Sequence, residues 1–257
     1  MLNTLGIVQL RLAGDRTDSG GHRGAGRRLG GKPLLEWVVR RVTDCELLDG
    51  VIVVLGDSTE DAALAQFVPP DVPVFSRGAD DPLARYVAAL DEYRPRAIVR
   101  VCVDNLFIDP ALIDRLVCVA GSNRDSDSDY DYVGYCSSDG TPTIRSPLGV
   151  FGEWCSADAL RMADRQARRP EDRRQVTSFL YSQPEKFKVR LLPVPPEFDR
   201  PDVRLSIDSD EDWEHAEEIY EAIGPEELDW RRIAGLLDQQ PALRRRMADL
   251  NRACDRV

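Results

Sequence analysis

Histidine is scarce in this chain of 257 residues, and neither copy has the neighbours a nucleophilic relay needs. His22 lies in a polar, glycine-rich stretch and His215 in a charged helical pattern. The six cysteines (Cys45, Cys102, Cys118, Cys136, Cys155, Cys254) form no CxxC pair, so neither a zinc ribbon nor a disulfide framework is indicated. No apolar stretch approaches the roughly 18–20 residues of a membrane span. Residues 1–12, interrupted by Asn3, Gln9 and Arg11, do not read as a signal peptide, so a cytoplasmic protein with no membrane partner is expected. Positive charge is also short: 34 Lys and Arg stand against 45 Asp and Glu, a net charge of −11. That field repels nucleic acid and anionic membranes, and a small anionic substrate would need a locally basic site. There is no internal repeat.

An apolar content of 42% in a chain of this length supports a substantial core. Apolar runs that read as strands alternate with helical patterns: strand 5–10, a Gly/Arg-rich loop over 13–31, and a helix presenting Leu34, Leu35, Val38, Val39 and Val42. Strand 51–55, helix 60–67, strand 72–75, helix 82–93, strand 97–103 and helix 110–119 follow, with Pro82 and Pro110 suited to first turns. Continuously apolar strands between helices indicate an α/β fold whose mostly parallel sheet is covered on both faces. The second half reads as mixed: strands near 132, over 149–155, 188–192 and 204–207, and helices over 157–165, 173–182 and 210–223. Residues 1–224 are expected to form the main domain and 225–257 a helical tail. The tail's stripe of Leu228, Trp230, Ile233, Leu236 and Leu237 is read as packing in preference to a homodimer contact.

The segment 13–32 carries Arg16, Arg23, Arg27, Arg28 and Lys32 against Asp15 and Asp18, with seven glycines among them. Glycines that admit backbone N–H groups and guanidinium groups ahead of a helix are what a polyphosphate requires, although a solvated surface loop has the same composition. Two motifs are near misses. Gly26 to Lys32 has P-loop spacing, but Pro33 stands where a Ser/Thr hydroxyl must reach magnesium. Gly24, Gly26 and Gly30 begin too far after the first strand for a dinucleotide fingerprint. Asp104 follows the strand ending at Val103, and Asp208 follows the one ending at Ile207. Ser209 and Asp212 fit a capping box, a structural reason for acids there, while two carboxylates at one sheet edge could hold a magnesium ion.

Taken together, these segments resemble the cytidylyltransferase family of spore coat polysaccharide biosynthesis, relatives of the CMP-Kdo synthetases, over about residues 5–223. The resemblance rests on Gly30-Gly31-Lys32-Pro33-Leu34-Leu35-Glu36-Trp37-Val38-Val39, on Arg77-Gly78 with Asp80-Asp81-Pro82-Leu83-Ala84-Arg85-Tyr86, and on the stretch from Val99 to Pro110. Glu185-Lys186-Phe187 and the stretch from Arg204 to Asp212 extend it. It implies a Rossmann-like nucleotidyltransferase (glycosyltransferase-A type) fold that transfers CMP from CTP, or another NTP, to an acidic or hydroxylated sugar and releases pyrophosphate. The roles it implies are catalysis by Arg23, Arg27 and Lys32, nucleotide contacts by Gln9, Arg11, Gly14, Gly26 and Arg100, Mg2+ on Asp104 and Asp208, and substrate contacts by Arg77, Arg85 and Glu153.

The chain also departs from the family's pattern. Its opening loop carries a glycine-rich insertion, and Arg27 replaces a lysine. Val103 replaces the glycine before the metal-site aspartate, and Leu106 replaces a proline after it. Phe151 replaces an aspartate, and Arg174 and Gln175 replace a Glu-His pair. These departures leave open a degenerate member that binds a nucleotide or a protein partner without turnover.

Overall fold

The structure, a computed structural model, describes residues 2–10, 24–77, 81–121 and 129–254. Strand β1 (Thr4–Gln9) is buried along its whole length, as an apolar run must be when both faces of a sheet are covered. Its neighbours are β4 (Gly50–Val54) and β6 (Ala97–Cys102), both parallel to it, and the register sets Gln9 opposite Val54 and Cys102, so the three strands end together. A short hairpin, β2 (Arg28–Leu29) and β3 (Lys32–Pro33), precedes the first helix of this layer, α1 (Leu34–Thr43). With β5 (Val74–Phe75), β7 (Tyr132–Cys136), β8 (Glu153–Ser156) and β9 (Val189–Pro193), the seven-stranded sheet runs β5-β4-β1-β6-β8-β7-β9. Only β8 runs against its neighbours, so the sheet is mixed but mostly parallel.

The period of two along the strands divides the core. Val99, Val101 and Trp154 face a cluster with α1 and α4 (Pro110–Val119), while Ile7, Ile98 and Cys155 face one with α3 (Pro82–Tyr93) and α5 (Ala157–Gln166). The helices begin where their sequences supply caps. Ser58 caps α2 (Thr59–Leu64), Asp81 caps α3 with Pro82 in the first turn, and Asp109 caps α4 with Pro110 there. Ser209 and Asp212 form both hydrogen bonds of a capping box.

Four elements differ from expectation. The strand expected over 72–75 shrinks to Val74–Phe75, because the Val72 N–H turns back to the Pro69 carbonyl at 3.0 Å and Pro73 has no N–H. The strand expected over 149–155 begins only at Glu153. The helix expected over 173–182 is two short ones, α6 (Pro170–Arg174) and α7 (Ser178–Tyr181), broken where Val176 takes φ +45°. Val176 is fully buried and precedes Thr177, whose hydroxyl is committed to Glu153, so tertiary pairing overrides the local preference of a β-branched residue. Residues 204–207 form no strand. Leu205 and Ser206 donate to the Pro147 carbonyl at 2.8 and 3.0 Å, and Ile207 donates to the Asp104 carbonyl at 2.9 Å; these are contacts with loops rather than a ladder.

Helix α8 (Asp210–Ile223) continues into α9 (Trp230–Gln239) and α10 (Pro241–Cys254). Leu228, Ile233, Leu237, Leu243 and Met247 are buried in the same cluster as α1 and α4, so the tail's apolar stripe packs on the core. Among the described residues no helix is long and apolar enough to cross a membrane.

Candidate active site

In open α/β sheets ligands bind beyond the carboxyl ends of the parallel strands, here the edge formed by Gln9, Val54 and Cys102. The chain leaves β6 through Asp104, whose carbonyl accepts the Ile207 N–H, so the segments bearing Asp104 and Asp208 lie side by side at this edge. Asp208 Oδ2 accepts the Ser206 hydroxyl at 2.8 Å and Arg204 Nη2 at 3.2 Å. Arg204, itself buried, is held by both oxygens of Asp212, Nε at 2.6 Å and Nη2 at 2.9 Å, and Asp212 Oδ2 also takes the Asp208 N–H. Burial works against the Arg204 charge, but Asp212 and Asp208 outweigh it and raise the guanidinium pKa. Asn251 of α10 donates to the carbonyls of Pro201 and Val203 and ties the tail to the same segment.

Close approach at Gly149 makes this juxtaposition possible. The residue has φ +64°, and a β-carbon there would stand 2.5 Å from the backbone of Leu205 and Ser206. Only glycine lets the 147–150 loop lie against that backbone while Asn105 Nδ2 holds the Phe151 carbonyl at 3.0 Å.

Below the edge lies a buried polar network. Arg100 and Glu153, 7% and 1% exposed, form an ion pair at 2.7 Å. The other Glu153 oxygen accepts Tyr132 at 2.5 Å, and Thr177 Oγ1 reaches both oxygens at 3.0 Å. Arg100 Nε donates to Gln9 Oε1 at 2.9 Å, and Tyr86 OH donates to the same oxygen at 3.1 Å. Burial, with Glu153 beside it, pushes the Tyr132 hydroxyl well up; burial does the same at Tyr86, so both remain donors. Arg100 and Glu153 thus neutralise one another, and the Gln9 carboxamide is oriented with its oxygen inward.

Of the other predicted site residues, Arg27 is brought to the start of α8, two residues past Asp208. Arg27 pairs with Asp210 and lies over the Trp213 ring at 4.5 Å. Lys32 is exposed on the hairpin, 5.0 Å above Trp37, and Gly26 abuts the Phe67 ring. Arg77 is exposed and pairs with Glu92 at 2.7 Å. Arg85, in the first turns of α3, is buried. Arg11, Gly14 and Arg23 lie outside the described residues, as does His22. Phe151 belongs to the core, with ring centroids 4.7 Å from Tyr135 and 6.2 Å from Phe198.

A family model described as Cytidylyltransferase matches residues 25–234. The chain belongs to the cytidylyltransferase family. It is 29% identical over 204 residues to the spore coat polysaccharide biosynthesis protein SpsF of Bacillus subtilis, covering 77% of this cytidylyltransferase and 80% of that protein. Its structure is similar to that of a cytidylyltransferase from Leptospira borgpetersenii at TM-score 0.80 and 20% identity, covering 95% and 97% of the two chains. It is also similar to CMP:2-keto-3-deoxy-manno-octonic acid synthetase complexed with CTP, at TM-score 0.59 and 11% identity, covering 86% and 99%. The fold of this cytidylyltransferase is therefore the Rossmann-like nucleotidyltransferase fold.

The partners of the buried charges, Tyr86, Tyr132 and Thr177 around Gln9, Arg100 and Glu153, and Arg204 at Asp208, are not marked in the sequence. One signal was available. Arg100 interrupts an otherwise apolar strand, and a charge at such a position requires a buried partner.

Proposed function

We propose that this cytidylyltransferase transfers CMP from CTP to a hydroxylated or acidic sugar for surface polysaccharide synthesis, releasing pyrophosphate. The Ile207 to Asp104 hydrogen bond carries the reading, because it sets two carboxylate-bearing segments together where the parallel strands end. Membership of the family and the SpsF relative support the chemistry and the setting. Asp104 and Asp208 would hold a magnesium ion. Their donors are hard oxygens, the ligand type of an ion that keeps waters and shares phosphate oxygens. When bound, the ion supplies positive charge to the triphosphate.

The protein's own residues position and neutralise. Arg23, Arg27 and Lys32 bind the β- and γ-phosphates, and Gln9, Arg11, Gly14 and Gly26 line the nucleotide. Arg100 and Glu153 support Gln9 from below. An acceptor hydroxyl attacks the α-phosphorus, the bond to the bridging oxygen breaks, pyrophosphate leaves, and the hydroxyl proton passes to solvent. A second reading, nucleotide binding without turnover, is favoured by the pairing of Arg27 with Asp210 and by Phe151 in the core.

The experiment is pyrophosphate release by the purified protein with CTP, UTP, GTP or ATP, magnesium and a panel of acidic and neutral sugars, beside calorimetric titration of magnesium-CTP. Release specific to CTP and one sugar is expected, with Asp104→Asn and Asp208→Asn each abolishing it while the fold persists. Binding with no release from any sugar would favour the second reading, and absence of NTP binding would refute both.

A further inference from the structure

Residues 200–204, which lead the chain from β9 toward Asp208, lie outside the sheet, and side chains of the tail set their position. Arg200 Nη1 reaches Asp238 of α9 at 2.7 Å, and Arg244 Nε of α10 holds Asp202 at 2.7 Å. Asn251 Nδ2 donates to the Pro201 carbonyl at 2.9 Å and to the Val203 carbonyl at 3.1 Å, which uses both protons of its amide. The next residue is Arg204, 6% exposed, whose Nη1 lies 3.5 Å from Asn251 Oδ1 and whose Nη2 reaches Asp208 Oδ2 at 3.2 Å. With Nε and Nη2 also fixed on Asp212, the planar guanidinium is held in one orientation, and that orientation delivers Nη2 to Asp208.

The tail is held on the core by other means. Leu243 and Met247 of α10 are fully buried in the main cluster, and partly exposed ion pairs such as Arg200 with Asp238 and Arg244 with Asp202 add little to stability. What the Asn251 amide adds is register. It fixes where the 201–203 backbone lies, and so where Arg204 begins, three residues before Ile207 donates to the Asp104 carbonyl. Helix α10 starts at Pro241, past residue 234 where the family match ends. We propose that Asn251 is a positioning residue of the active site, acting through the 201–203 backbone and Arg204 to hold the Asp208 carboxylate beside the Asp104 segment, a role that rests on the metal site proposed above and is independent of nucleotide and sugar. Metal ligands lose roughly 10–100-fold in affinity when the groups that orient them are removed.

The test titrates the purified full chain with Mn2+ alone, following the free ion by electron paramagnetic resonance, beside the magnesium dependence of pyrophosphate release. Asn251→Leu removes the amide and keeps a good helix former, and Asn251→Gln retains the amide. Arg246→Met is the control, because Arg246 lies on the same helix but ties it to Glu218 and His215 of α8. The wild type should bind Mn2+ at a site that Asp208→Asn removes. Asn251→Leu should bind it roughly 10–100-fold more weakly, need correspondingly more magnesium for half-maximal release, and recover turnover at saturating magnesium, which a loss of folded protein would not allow. Asn251→Gln should fall between the two, and Arg246→Met should match the wild type in both titrations. Should melting curves show Asn251→Leu unfolded, Asn251→Gln and Arg204→Lys, which keeps the charge without the fork, carry the comparison, each expected to weaken Mn2+ binding. Wild-type affinity in the Asn251 variants, or an equal loss in Arg246→Met, would overturn the proposal. A wild type with no Mn2+ site at Asp208 also overturns it, and leaves the transfer reading standing if CTP still yields pyrophosphate. Mn2+ binding that depends on Asn251 with no release from any NTP would overturn the proposed function and leave this role intact.

Discussion

Phe151 occupies the position where the family's pattern has an aspartate, and restoring the acid separates two accounts of that position. If it were an open acceptor pocket that had lost its carboxylate, Phe151→Asp would cost little and could improve sugar binding. The geometry argues for core. The ring is 5% exposed, tilted against Tyr135, edge-on to Phe198, and linked through Phe198 to Trp230 of the tail at 5.9 Å. Truncating a buried phenylalanine costs about 3–5 kcal/mol, so Phe151→Ala should lower the melting temperature by roughly 6–20 °C at the ~2–4 °C per kcal/mol typical of a chain this size. Phe151→Leu keeps most of the volume and should cost less than about 1.5 kcal/mol. Phe151→Asp loses the same apolar contacts and adds the burial of a polar group, a further ~2–7 kcal/mol, which together approach the whole ~5–15 kcal/mol of a folded domain. Urea denaturation at neutral pH with calorimetric melting would measure the series. An aspartate variant within about 1 kcal/mol of the leucine variant would refute the reasoning.

Gly149→Ala should displace Leu205 and Ser206 and with them Asp208. The magnesium-dependent turnover proposed above should fall by at least about tenfold, whereas the roughly 1–3 kcal/mol of backbone strain at positive φ leaves a domain of ~5–15 kcal/mol folded, as magnesium titration of turnover beside a melting curve would show. His215 gives a pH dependence. Burial, then Arg246, lowers its pKa from 6.5, while Asp212, Glu218 and Glu214 pull the other way. Because the folded form binds its proton less readily than the unfolded chain, its contribution to stability is full above about pH 6.5 and is lost as pH falls below that value toward the lowered one. His215→Gln should flatten the melting temperature between pH 7.5 and 5; an unchanged slope would remove His215 as its cause.

Much of the fold was legible because its determinants are local. The apolar runs at Thr4–Gln9, Gly50–Val54 and Ala97–Cys102, the prolines in first turns, and the Ser209 and Asp212 capping box depend on residues within a few positions of one another. Of the site, Asp104 could be placed at a strand end on the same ground, and the family could be identified from short motifs.

Tertiary structure decided the rest, because burial forces pairings between residues far apart in the chain. Residues 204–207 have a strand's composition, yet their N–H groups are satisfied by Pro147 and Asp104, so no ladder forms. Val176 accepts an unfavourable backbone because Thr177 is needed at Glu153. Arg100 and Arg204 are alike as letters, yet Glu153 stands 53 residues beyond the first and Asp212 eight beyond the second. A charge in low dielectric must be neutralised by whatever the fold brings to it, and sequence order does not carry that information.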